Sequence, residues 1–206
     1  MNSETNSRHY AIYGGSFDPI HKGHIALADH AVRECGIDKL IFMPAYVSPF
    51  KQNRKTAPGK DRAAMIESIL GYNKAFCLSR YELGKEGPSY TYDTVMHWKQ
   101  LLNGKLSFIL GFDSVIEIDT WYRGEEILKE VSLITARRPY ANDSDGWDKI
   151  QYYREKFGTE TTVLEMEPVD ASSTEVRMNV HAGYPISDIV APEVERYISE
   201  HDLYKD

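Results

Sequence analysis

Tyr13-Gly14-Gly15-Ser16-Phe17-Asp18-Pro19-Ile20-His21-Lys22-Gly23-His24 stands between a short apolar run and an amphipathic stretch, and its reading decides the fold. Ala11 to Tyr13 read as the end of a buried strand. Gly14 and Gly15 permit backbone geometry and a close approach that a side chain would block, and Asp18-Pro19 marks a turn. A helix is expected from near His24, because Ile25, Ala28, Ala31 and Val32 recur at helical spacing and Gly36 suits a C-terminal stop. His21 and His24 therefore lie at the mouth of a strand-loop-helix unit. Free backbone N–H groups and the helix dipole favour an anion there, so the loop reads as a phosphate cradle. Two histidines three apart could instead share a metal, although no cysteine or carboxylate cluster nearby completes a coordination sphere, or be surface residues beside a Gly-rich turn.

Outward from the cradle, Lys39 to Pro44 reads as a buried strand, which gives a strand-helix-strand unit of the length of a right-handed parallel crossover. The polar stretch Tyr46 to Lys60 follows, and its Lys51 has a reading as a phosphate contact, since loops leaving strand C-termini gather around a ligand. Asp61 to Leu70 is expected as a helix with Met65, Ile66 and Ile69 on one face, and Ala75 to Leu78 as a strand. Gly87-Pro88-Ser89-Tyr90-Thr91 then feeds a helix to about Leu102, with Val95, Trp98, Leu101 and Leu102 inward. The amides at its start and the Thr91 hydroxyl suit a carboxylate. Leu106 to Leu110 opens a second half of the sheet, with Gly111-Phe112-Asp113 at its C-terminal end. Trp121 reads either as a core anchor or as a stacking platform for a flat ring. Val131 to Thr135 and Thr162 to Met166 are expected strands, and Trp147 to Phe157 a helix of unassigned role. Ser172 and Glu175 have capping-box spacing, with Ser173, Thr174 and, a turn later, Arg177 beside the same free amides. Pro192 opens a last helix through Glu200. The sum is an α/β fold, a Rossmann-like doubly wound, mainly parallel sheet with helices on both faces.

The 206 residues suit one domain over residues 1–206. A formal net charge of −7 argues against a general nucleic-acid binder, which needs a basic face. Cys35 and Cys77 lie far apart and outside any Cys-x-x-Cys pattern, as expected of two reduced core thiols. Met1 to His9 is polar, and no run reaches bilayer-spanning length, so no membrane partner and a cytoplasmic location are expected. The sequence leaves the oligomeric state open, a homo-oligomer included.

The ordered set Gly-Gly-Ser-Phe-Asp-Pro and His-Lys-Gly-His resembles the His-x-Gly-His nucleotidyltransferases. Met43-Pro44, the Pro49 to Lys51 loop, Gly87 to Thr91, Gly111 to Asp113, Trp121-Tyr122, Arg138-Pro139 and Ser172 to Arg177 narrow the resemblance to bacterial nicotinate-nucleotide adenylyltransferases along nearly the whole chain. One departure is Phe50, where the family often has histidine before the loop lysine. The resemblance implies transfer of the adenylyl group of ATP to nicotinate mononucleotide. It implies that ATP meets Gly14, Gly15, Ser16, Phe17, His21, His24, Gly111, Asp113, Ser172, Ser173, Thr174 and Arg177. Lys51, Thr91, Trp121, Tyr122 and Arg138 would hold the mononucleotide, its ring on Trp121 and its carboxylate at amides near Thr91 and Tyr122. His21, His24, Lys51 and Arg177 would neutralise phosphate charge, assisted by Mg²⁺ bound mainly through ATP phosphates and water, with no metal-ligating residue set of the chain itself. Two alternatives stay open: nicotinamide mononucleotide as acceptor with the same chemistry, and a non-catalytic nucleotide sensor.

Overall fold

The computed structural model describes residues 7–47, 56–85, 87–136, 144–167 and 169–205. Among the described residues six strands form one sheet: β1 (Arg8–Gly15), β2 (Lys39–Pro44), β3 (Phe76–Leu78), β4 (Gly104–Ile109), β5 (Ser132–Ala136) and β6 (Thr161–Leu164). Their spatial order is β3-β2-β1-β4-β5-β6, and every pairing is parallel. This is the doubly wound arrangement expected from the sequence. The order reverses between β1 and β4, and in such sheets the crevice beyond the strand C-termini at that point takes the ligand.

Alternation along the strands explains why helices cover both faces. Ala11 and Tyr13 of β1, Leu40 and Phe42 of β2 and Ile109 of β4 belong to one apolar cluster, whereas Ile12, Ile41, Met43, Leu106 and Phe108 belong to the other. The first cluster is closed by α1 (Lys22–Cys35), α2 (Gly59–Ser68), α7 (Ser173–Ala182) and α8 (Pro192–Glu200). The second is closed by α3 (Thr91–Leu101), α4 (Phe112–Glu117), α5 (Gly124–Glu130) and α6 (Ser144–Phe157).

Several boundaries differ from expectation. Helix α1 begins at Lys22, two residues before His24, and ends at Gly36, which has φ 61° as a left-handed cap should. Helix α2 starts at Gly59, two residues before Asp61, and ends at Ser68, and the expected helix end at Leu70 falls instead in a 3₁₀ turn at Leu70–Tyr72. Leu101, expected inward, is 63% exposed. At about 100° per residue it falls roughly 120° away from Val95, whereas Trp98 and Leu102 stay on the Val95 side. Helices α4 and α5 were not expected at all. Helix α6 has a clear role: the hydroxyl of fully buried Tyr153 lies 2.9 Å from both Val115 O and Asp119 Oδ1, its single proton shared between the two acceptors, and so braces α4 from behind. Cys35 and Cys77 are free and half-buried. Among the described residues, no helix is long and apolar enough to cross a membrane.

Candidate active site

His21 is the N-cap of α1, in extended geometry (φ −139°, ψ 171°), and its backbone N–H donates to His24 Nδ1 at 3.3 Å. Their rings lie face to face, 3.7 Å between centroids and tilted by 31°. An Nδ1 that accepts a backbone N–H carries no proton, so the His24 proton sits on Nε2. Around His24 stand the rings of Phe17 at 5.1 Å and Tyr13 at 6.0 Å, both roughly edge-on. Phe17 takes the left-handed backbone region (φ 46°) with its ring 2% exposed, a conformation that only a well-determined surrounding sustains. Gly14 and Gly15 are strand residues, and the atoms that exclude a Cβ from them are ring carbons: Phe108 at 3.0 Å and Phe17 at 3.2 Å. Their smallness serves packing of the cradle as well as access. Lys22 turns away, its Nζ donating to Ser187 O at 2.9 Å.

The C-terminal part of the chain docks on the same turn, as the sequence suggested. Ser172 caps α7 by accepting from Glu175 N at 3.1 Å. Ser173 Oγ donates to Pro19 O at 2.9 Å. Arg177 donates through Nη1 to Asp18 O at 2.5 Å and through Nη2 to Thr174 Oγ1 at 3.0 Å. Residues 18–24 and 172–177 thus share one wall of the crevice, with Arg177 mostly buried. Gly111 and Asp113 follow β4 directly, Gly111 as the N-cap of α4 and Asp113 exposed in its first turn. They lie beside the cradle at the switch point because Tyr13 pairs with Ile109.

A second cluster gathers the expected acceptor residues. Thr91 opens α3 and the N-cap Tyr90 supplies no side-chain cap; Asp93 N donates to Tyr90 O at 3.1 Å, so the amides that bear on a ligand are those of Thr91 and Tyr92. The Tyr122 ring lies 4.7 Å from Tyr90 and 6.2 Å from Tyr92, so the α3 start and Trp121-Tyr122 are brought together. Trp121 is half-buried against the second apolar cluster, and Tyr122 is 54% exposed. Between the two clusters runs the seam after β2. Ala45 N donates to Gly15 O at 2.9 Å on one side, and on the other Tyr46 N meets Ser89 Oγ and Ser89 N meets Val47 O, both at 2.9 Å. Lys51 and Arg138 lie outside the described residues, as does Phe50.

Sequence reasoning missed the groups beneath this seam. Asp18 is 3% exposed, its Oδ1 accepting from Ala57 N at 3.0 Å and from Tyr204 Oη at 2.9 Å, and Arg62 is a buried guanidinium. Asp18 looked like a turn former, and an arginine on a helix ordinarily faces water. The one available signal was the break in the polar face of α2, where Arg62 is followed directly by Ala63 and precedes Met65 and Ile66.

Comparison with known proteins agrees with this geometry. A cytidylyltransferase-like family model matches residues 12–179. A probable nicotinate-nucleotide adenylyltransferase of Thermoanaerobacter sp. (strain X514) is 37% identical over 196 residues, 94% of this chain and 93% of the relative. The chain belongs to this family. A probable nicotinate-nucleotide adenylyltransferase of Carboxydothermus hydrogenoformans is 34% identical over 195 residues, 94% of this chain and 96% of the relative. Plasmodium falciparum nicotinic acid mononucleotide adenylyltransferase, solved in complex with NaAD, has a TM-score of 0.78 at 22% identity, covering 96% of this chain and 97% of that chain. That last likeness is one of fold.

Proposed function

We propose that the chain, acting as one nucleotidyltransferase domain, transfers the adenylyl group of ATP to nicotinate mononucleotide, giving nicotinate adenine dinucleotide and pyrophosphate. The observation that carries the reading is the stacked His21–His24 pair at the start of α1, in the switch-point crevice, with Ser173 and Arg177 of α7 on the same turn. The 5′-phosphate of the acceptor attacks the α-phosphorus in line, and pyrophosphate leaves on the far side. That phosphate is already an anion near neutral pH, so no general base and no covalent intermediate are needed, and rate comes from alignment and charge neutralisation. His24 donates Nε2–H to a phosphate oxygen, and the α1 amides and Arg177 add positive potential. Lys51 and Arg138, outside the described residues, complete the proposal as contacts to the mononucleotide. The α3 amides and Tyr122 receive the pyridine carboxylate, and Trp121 offers its ring.

We propose Mg²⁺ as an ion held mainly by the ATP phosphates and water. When bound it would neutralise charge on the phosphates.

The test is pyrophosphate release from ATP and Mg²⁺ with nicotinate mononucleotide and nicotinamide mononucleotide in parallel. Faster release with nicotinate is expected. Preference for nicotinamide would overturn the carboxylate pocket, and silence with both would overturn adenylyl transfer. His24→Ala should lose on the order of a hundredfold or more in turnover while remaining folded, since one preorganised donor at the reacting phosphate is typically worth that much.

A further inference from the structure

Arg62 of α2 is 2% exposed and lies in none of the sequence motifs that mark the site. Its Nη1 donates to Ser16 O at 2.6 Å, its Nη2 to Ala45 O at 2.7 Å and Tyr46 O at 3.4 Å, and its Nε to Ala57 O at 3.0 Å. These carbonyls come from three segments: the cradle after β1, the seam after β2 and the entry to α2. The charge of Asp18 acts on the guanidinium without an ion-pair contact; its Oδ1 is held by Ala57 N and Tyr204 Oη, and its Oδ2 lies 3.8 Å from Arg177 Nη1. Burial lowers the guanidinium pKa and Asp18 opposes the shift. Burial and then Asp18 raise the Tyr204 phenol, which stays a donor.

A buried charge is a poor stability device, because well-packed apolar groups of similar volume often do as well or better. What a guanidinium adds is a rigid planar fork of donors, and that fixes the relative positions of the carbonyls it grips. Here those carbonyls belong to the two halves of the crevice. Ser16 is in the nucleotide cradle, and Ala45-Tyr46 is the seam whose other side is fastened to Ser89 at the acceptor turn.

We infer that Arg62, with Asp18 and Tyr204 behind it, is a positioning residue that holds the nucleotide cradle and the acceptor seam in register for in-line transfer. It touches neither substrate. The inference rests on the adenylyl-transfer reading, and the experiment separates the two.

Full-length wild type, Arg62→Met and Arg62→Lys are compared for pyrophosphate release per folded molecule, with each substrate varied in turn, and for thermal melting. Arg62→Met should lose on the order of a hundredfold in kcat, the scale of a misalignment of about 1 Å, whichever substrate is varied. Arg62→Lys should fail to restore it, since lysine keeps the charge without the fork. Wild-type kcat in folded Arg62→Met, even with a lowered Tm, would reduce Arg62 to a structural role and overturn the inference. Should Arg62→Met not fold, Tyr204→Phe decides: it deletes a single O–H···O bond behind the hub, and a smaller fall in kcat at unchanged KM is expected. Unaltered kcat there would equally overturn the inference. No turnover by wild type would instead count against adenylyl transfer itself.

Discussion

Between the two histidines, Gly23 is small because the His21 ring fills the space beside it: a Cβ there would come within 3.1 Å of His21 Cε1 and Nδ1. Contacts that tight force a shift of a few tenths of an ångström, and the stacked ring is the neighbour able to yield. Gly23→Ala therefore has opposed consequences. In the first turn of α1 alanine should favour the helix by about 0.5–1 kcal/mol. Opening the His21–His24 stack should lower turnover, by roughly tenfold if the displacement is a fraction of an ångström. Melting and pyrophosphate release measured on one preparation check both signs, and full turnover at raised Tm would mean that the His21 ring position is not part of the catalytic geometry. The spacing His-x-Gly-His was legible as a cradle. That its glycine serves the histidine ring was not, because a linear sequence does not show which side chain folds back over which backbone.

Helix α3 shows how an element is held ready for a ligand. Its entry is tied down by Glu82, 7% exposed, which accepts from Thr94 Oγ1 at 2.6 Å. Burial raises the Glu82 carboxyl above its ordinary value of 4.5, while bonds from Thr94 and Ser89 and the charge of Lys85 pull it back. For an acid whose folded pKa is raised, the contribution to stability is fully present below the unfolded pKa and is lost as pH rises through the folded one. At neutral pH the ionised carboxylate is thus a burden that glutamine would not carry. Glu82→Gln should melt like wild type below pH 4.5 and above wild type near neutrality. A lower Tm near neutrality would show that the ionised acceptor's hydrogen bonds outweigh its burial. Elements with an apolar stripe or a capping pair, such as α1, α3 and α7, were legible because their signals are local. Helices α4 and α5 were not: six and seven residues make fewer than two turns, too short for a periodic stripe, and their N-caps Gly111 and Arg123 contribute no side-chain cap. They form because tertiary packing against α6 and the sheet holds them.

At the scale of the molecule, the alternation of strands and helices made a parallel sheet legible, but burial of Arg62 and Asp18 arises only when residues 16, 45, 57 and 204 meet. The same holds at the opposite edge of the sheet, where His9 lies about 20 Å along β1 from Gly15. Its backbone N–H donates to Asp38 Oδ2 at 2.7 Å, while its ring reaches Cys35 O at 3.0 Å and Ser107 Oγ at 2.8 Å. A carbonyl only accepts, so Nδ1 carries the proton; in the neutral imidazole Nε2 accepts from the Ser107 hydroxyl, which turns to accept when the ring is protonated. This ring therefore joins β1, the end of α1 and β4, three elements that also build the active-site edge. Burial lowers the His9 pKa below 6.5, aided by Lys105 and opposed by the Cys35 carbonyl and Asp38. For a base with a lowered folded pKa the unfolded chain takes the proton first, so His9 stabilises the fold above pH 6.5 and that contribution is lost as pH falls toward the folded pKa. The Tm of wild type should accordingly decline as pH drops through that window, and His9→Gln, which keeps an amide donor and an acceptor, should decline less. Turnover of His9→Gln near neutrality should match wild type, since no reacting group is near it. An equally steep decline of Tm in His9→Gln would assign the acid sensitivity to another titrating group and leave the His9 ring as a neutral tie between elements.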